Sequence, residues 1–187
     1  MTIDIRQNTA SSPRVRVWDI GVRLFHWSLV VSVATTYLLS EQRVLHRWFG
    51  YAVFALISFR LIWGLIGGKH ARFADFVPGP RRFFGYVIDM IKGREARYLG
   101  HNPAGGAMIV ALLTTLAAVG ATGYMMGMNA YFGVEWVENA HGLLVNLLLA
   151  MVALHLLGVI LSSLRHGENL VLSMLTGHKD ANDDHPS

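Results

Sequence analysis

Four apolar stretches constrain this chain more than any other feature. They cover residues 22–40, about 46–66, 107–126 and about 139–164. Each is long enough to cross a hydrocarbon layer about 30 Å thick, which takes roughly 20 residues at 1.5 Å of rise. Within lipid no water is present to satisfy backbone N–H and C=O groups, so a spanning apolar run reads as a helix. The composition agrees. The chain is 53% hydrophobic and 15% charged, too apolar for an ordinary soluble domain. The expected fold is therefore all-α and integral to a membrane, with four spanning helices and no linker to a second domain.

The absence of cysteine removes several chemistries at once. Disulfides, thiolate metal sites, iron–sulfur clusters and covalent haem attachment are all excluded. The net charge of +4 belongs to a membrane protein's inner face and does not point to nucleic acid. Arg6, Arg14, Arg16 and Arg23 precede or open the first run. Lys69, Arg72, Arg81, Arg82, Lys92, Arg94 and Arg97 fill the long connection between the second and third runs, and Arg165 and Lys179 follow the fourth. The opposite side carries Arg43 and Arg47 alone. The positive-inside rule then places both termini of a multi-pass membrane protein in the cytoplasm.

The flanks read as polar tails, 1–16 and 180–187, around one domain over 17–179. No A-x-A-type cleavage site follows the first apolar run, so that run is kept as a helix and not a secretory signal. In the long connection, PRRFFGYVIDMIKGR places Phe83, Phe84, Val87, Ile88 and Ile91 at helical spacing between basic flanks. That pattern suits a short helix lying in the membrane interface, and a plain cytoplasmic loop helix equally. Trp27, Trp48, Trp63 and Trp136 fall near helix ends, as interfacial belt residues do.

Two histidines stand inside the apolar segment NAHGLLVNLLLAMVALHLL. His155 follows His141 by fourteen residues. On a helix that is roughly 21 Å of rise and a rotation some 40° short of four full turns. The imidazoles share one face, one near each side of the membrane. Two other histidines match them in depth. His26 lies about one turn from the inner end of the first helix, and His46 opens the second at the outer end. The pairs are His26 with His155 inside and His46 with His141 outside. Two bis-histidine sites stacked across a bilayer suit haem b, a large flat apolar group whose iron takes axial imidazoles. Zinc would call for more protein ligands.

The plain reading of any one of these four is a hydrogen-bonded interfacial histidine. Depth pairing and the cost of placing ionisable groups in lipid favour ligation. Gly50, Gly142 and Gly158 lie close to the ligands in sequence, where a ring would approach backbone, although glycine also serves helix packing. Arg60 follows His46 by fourteen residues as well, so it faces the inner pair. A haem propionate or a quinone oxygen would accept from its guanidinium; snorkelling to the inner surface is the alternative. His70, His101, His166, His178 and His185 fall in loops or the tail and read as solvated or interfacial. His101 carries a further expectation, proton transfer to a quinone near neutral pH.

Four segments, VWDIGVRLFHWSLV, LHRWFGYAVFALISFRLIWG, GHNPAGGAMIVALL and NAHGLLVNLLLAMVALHLL, together resemble the bacterial di-haem cytochrome b561 group. That group includes the cytochrome b subunits of nickel–iron hydrogenases. The resemblance implies a four-helix bundle in which the first, second and fourth helices supply haem ligands and the third supplies none. The ligand positions fall on His26, His46, His141 and His155. It also implies electron exchange between the quinone pool and a periplasmic partner, either a hydrogenase or a c-type cytochrome. A superoxide:quinone oxidoreductase is a second reading, with Arg43 and Arg47 steering the anion against Glu41, Glu135 and Glu138. A haem-free carrier or structural subunit is a third. Membrane lipid is an expected partner, nucleic acid is not, and a homo-oligomer is left open.

Overall fold

The structure, a computed structural model, describes residues 14–181. Helices account for most of it, as a chain with these apolar runs requires. The long ones are α1 (Ile20–Leu38), α2 (Arg43–Ile66), α5 (Pro103–Met126) and α6 (Glu135–His166). Three short ones lie in the connections: α3 (Phe73–Phe76), α4 (Pro80–Ile91) and α7 (Leu170–Thr176).

Helices α5 and α6 begin about four residues ahead of the apolar runs, and α1 about two ahead, because the features that start them, capping side chains for α1 and α5 and an acidic first turn for α6, precede those runs. Asp19 caps α1, its carboxylate accepting from the Val22 N–H at 2.9 Å. Asn102 caps α5, accepting from the Gly105 N–H at 2.7 Å. Pro103 follows at the first helical position, where a missing N–H costs nothing. Glu135 and Glu138 sit in the first turn of α6 and Arg165 and His166 in its last, both favourable to the helix dipole. Gly167 then ends α6 with φ of +62°, a conformation that favours glycine.

Helices α2, α5 and α6 are long and apolar enough to cross a membrane. Helix α1 does not join them on those grounds, because Arg23, His26 and its serines and threonines dilute the run. Packing proceeds in series: α1 on α2, α2 on α5, α5 on α6. The core lies midway along the helices, where Val53, Ile57, Leu116 and Leu148 meet. Leu29, Val33, Leu112, Val119 and Val152 complete it. Leu148 is seven residues from His141 and seven from His155. An apolar layer therefore separates the two histidine levels.

At one end the chain termini are tied together, which the sequence does not announce. Strand β1 (Arg14–Arg16) pairs antiparallel with β2 (His178–Asp180), Arg14 opposite Asp180 and Arg16 opposite His178. Residues 14–16 and Asp180, expected in the polar tails, thus belong to the folded unit. The rest of those tails, 1–13 and 182–187, lies outside the described residues. The Val17 and Trp18 N–H groups donate to the Gly177 carbonyl at 2.9 and 3.1 Å. The Trp18 indole donates to Ser173 Oγ at 3.3 Å, and the Arg23 guanidinium to the Leu175 carbonyl. Beneath them Glu168 receives both Arg97 and Lys179, the latter at 3.1 Å. Lys179 also donates to the Tyr98 carbonyl at 3.3 Å, and Arg97 to that of Asp180 at 2.7 Å.

The expected helix in the long connection is α4. It begins at Pro80 and buries Tyr86, leaving Phe84, Ile88 and Ile91 exposed.

Candidate haem sites

The His46–His141 pair forms at the end of the helices away from the β-ribbon. His46 stands near the start of α2 and His141 near the start of α6. Their ring centres are 6.4 Å apart with the planes at 71°. Each ring has its Nδ1 engaged by a neighbouring helix. His46 Nδ1 lies 2.9 Å from the Thr36 carbonyl on α1, which only accepts, so Nδ1 carries the proton. His141 Nδ1 lies 3.0 Å from Thr122 Oγ1 on α5. The Nε2 atoms make no hydrogen bond among the described residues. Gly123 admits the His141 ring, since a Cβ there would sit 3.2 Å from His141 Cε1.

At the ribbon end, His26 on α1 and His155 on α6 are near enough for their charges to interact. The His26 ring stands edge-on to Trp27 at 5.0 Å, with its Nδ1 buried and without a partner. The helices carrying this pair lie at opposite ends of the packing series. The sequence reading pairs the same residues by depth.

Arg60 lies nearby on α2. Only 2% of it is exposed, so it does not snorkel to a surface. Its guanidinium carbon is 4.8 Å from the Phe73 ring centre and 5.7 Å from that of Phe76. Its Nη1 is buried without a partner. Asp19 is close enough to attract it, but that carboxylate already serves the α1 cap and the Trp63 indole at 3.2 Å.

His101 departs from its sequence reading. Its ring packs 4.6 Å from Trp18 and 4.7 Å from Phe76, and its Nδ1 is buried without a partner. Burial, then the charges of Arg60 and Lys179, push its pKa down to about 3. The neutral ring is thereby favoured. His70 is half-buried, with its Nδ1 against Gly100. His166 ends α6, and His178 lies in β2 with its Nδ1 3.0 Å from the Thr176 carbonyl. His185 lies outside the described residues. A Cβ on Gly50, Gly142 or Gly158 would meet open space. Thr36, Thr122 and Asp19 went unnoticed in the sequence. The N-cap pattern of Asp19 was readable; the threonine contacts depend on interhelical register.

Do these residues suit haem? An imidazole–metal bond is about 2 Å, with about 1 Å more to each ring centre, so rings on opposite faces of one ion stand roughly 6 Å apart. The His46–His141 spacing meets that requirement, and its free Nε2 atoms are the ones that would ligate. Among the described residues no cluster of three or more His, Asp or Glu gathers as around a bare metal ion. Two imidazoles between apolar helices, with open space at Gly50, fit a planar group that brings its own equatorial ligands.

The fold defines an apolar helical membrane protein, and haem held between such histidine pairs would place it in the b-type cytochrome class. Comparison with known proteins agrees. The pattern of the prokaryotic cytochrome b561 family matches residues 17–177, and the chain belongs to that family. It is similar to a probable Ni/Fe-hydrogenase B-type cytochrome subunit of Bradyrhizobium diazoefficiens, 23% identical over 95% of this chain and 90% of the relative. It is also similar to a protein of the same description from Azotobacter vinelandii, 21% identical over 97% and 93%. No solved structure matches. Haem b is the group that the family implies.

Proposed function

We propose that the protein is a di-haem transmembrane electron-transfer cytochrome, carrying electrons between the quinone pool and a redox protein across the membrane. In this reading α1 also spans, making a four-helix bundle with both termini in the cytoplasm of a bacterial inner membrane. His26 and His155 hold the inner haem, and His46 and His141 the outer. The observation that carries the reading is the His46–His141 pair at 6.4 Å, with both Nδ1 atoms occupied.

A haem held between two of these imidazoles would supply a one-electron iron couple, suited to electron transfer. The chain's own residues do the rest. The Thr36 carbonyl orients His46. The apolar layer around Leu148 keeps water from the path between the sites. Gly50 leaves room beside His46. Arg60 offers a guanidinium without a dedicated carboxylate to an oxygen of the inner cofactor or of a quinone. The names of the relatives suggest a hydrogenase-like partner, and a c-type cytochrome is the other candidate. Either would dock beyond the outer pair, near Arg43 and Arg47.

The test is haem b per polypeptide in protein purified in mild detergent, with reduced-minus-oxidised spectra. Two low-spin haems are expected, and His155→Ala and His46→Ala each lose one. A preparation without haem, under conditions that retain it in other membrane cytochromes, refutes the proposal.

A further inference from the structure

Helix α5 supplies no histidine, yet it touches a candidate ligand through one hydroxyl. Thr122 Oγ1 stands 3.0 Å from His141 Nδ1, 3.0 Å from the Ala118 carbonyl and 3.0 Å from the Val119 carbonyl. A hydroxyl has one proton to give, and a carbonyl has none. If the Thr122 proton points at its own helix, Oγ1 turns a lone pair to the imidazole and accepts from Nδ1–H. If the proton points at His141 instead, two carbonyl oxygens face an oxygen with no hydrogen between them. The first arrangement satisfies every group.

We infer that Thr122 is a positioning residue: its hydroxyl holds the His141 imidazole as the Nδ1–H tautomer, frees Nε2 to ligate, and raises the ring's electron donation. The inference rests on the two-haem reading proposed above. The outer partner ring is served differently, by the Thr36 peptide carbonyl. The two imidazoles that would hold one haem are therefore supported differently, His46 by a peptide carbonyl on α1 and His141 by a hydroxyl on α5 with the Val119 carbonyl also in reach. Gly123 completes the device by admitting the ring beside the hydroxyl. Acceptors on the far nitrogen of a metal-bound imidazole fix its orientation and increase its basicity. A more basic axial ligand favours the oxidised iron.

The sign of the test follows. Thr122→Val keeps the shape of the side chain and removes the acceptor, so the ligand donates less and the reduced state gains. Redox titration of the haem-loaded protein, followed in the visible haem b bands, reads this directly. Wild-type protein should titrate as two components. Thr122→Val should move one of them to higher potential and leave the other in place, and the component that moves is the one missing from His46→Ala. Thr122→Ser restores a hydroxyl and should return the wild-type midpoint. If Thr122→Val loses that haem while Thr122→Ser retains it, the hydroxyl is again the cause. The inference is overturned by an unmoved midpoint, by equal movement of both components, or by Thr122→Ser behaving as Thr122→Val. Should wild-type protein lack two haems, the two-haem reading itself has failed, a result distinct from these.

Discussion

Replacing Glu168 by glutamine strands two buried cations. Arg97, Glu168 and Lys179 have side-chain exposures of 11%, 12% and 5%. One carboxylate therefore serves a guanidinium and an ammonium in a site nearly closed to solvent. Removing one member of a buried pair costs about 3–5 kcal/mol, because the partner stays behind without compensation. For a chain of this size each kcal/mol moves an unfolding midpoint by about 2–4 °C, so Glu168→Gln should lower it by roughly 6–20 °C. The loss should also depend on pH. Burial already lowers the Lys179 pKa, and Glu168 pulls it back up. Without Glu168 the folded value falls further below the unfolded one. Between those values the unfolded state binds more protons, so the variant regains stability as pH rises through the folded pKa. Thermal unfolding in mild detergent at pH 7 and 9.5 measures both effects. Adding Lys179→Met removes one stranded charge and should restore part of the loss. A midpoint within about 2 °C of wild type, or a double variant less stable than the single, refutes the reasoning.

Other outcomes follow from neighbouring geometry. His101 has a folded pKa of about 3 against 6.5 unfolded, so wild-type stability should fall as pH drops from 6.5 toward 3. The slope reaches at most about 1.4 kcal/mol per pH unit, and His101→Gln should flatten it; parallel profiles for the two proteins would sink this claim. Gly106→Ala drives a Cβ into the Phe76 carbonyl oxygen, and backbone cannot rotate away. A loss of about 1–3 kcal/mol is expected from overpacking, read as a lower midpoint, whereas a gain would show that α3 yields freely. Arg60→Met removes a buried positive charge near the His26–His155 level; on the two-haem reading proposed above, this should lower the midpoint of the haem held there. A unit charge roughly 10 Å away at an effective dielectric of about 20 shifts it on the order of tens of millivolts. An unchanged potential would place Arg60 away from the inner cofactor.

The sequence was legible wherever one helix carried the information. Helical rise converts the fourteen-residue interval between His141 and His155 into depth, and the same conversion sets Arg60 below His46. Asp19 and the Asn102–Pro103 step were readable as helix starts, but apolar runs alone begin the helices too late. Contacts between helices were a different matter. Whether Thr36 or Thr35 meets His46 depends on the rotation of α1 against α2, and nothing within either segment specifies that rotation. The β-ribbon was hidden for another reason: three residues a side, mostly charged, lack the alternation that marks a strand. His101 misled because a loop histidine is ordinarily solvated, and its cover comes from Trp18 and Phe76, both distant in sequence.

The ribbon and the Trp18–Ser173 bond also bear on the order of assembly. Adjacent helices pair through short connections, α1 with α2 and α5 with α6, and such local contacts form early and fast. The Trp18–Ser173 bond joins positions 155 residues apart, and β1 waits for β2, almost the last described segment to be synthesised. Until that segment arrives, α1 has its hairpin partner but nothing drawing its first turn toward α7. The ribbon therefore acts as a clasp, holding the first turn of α1 to α7 after the two hairpins have formed.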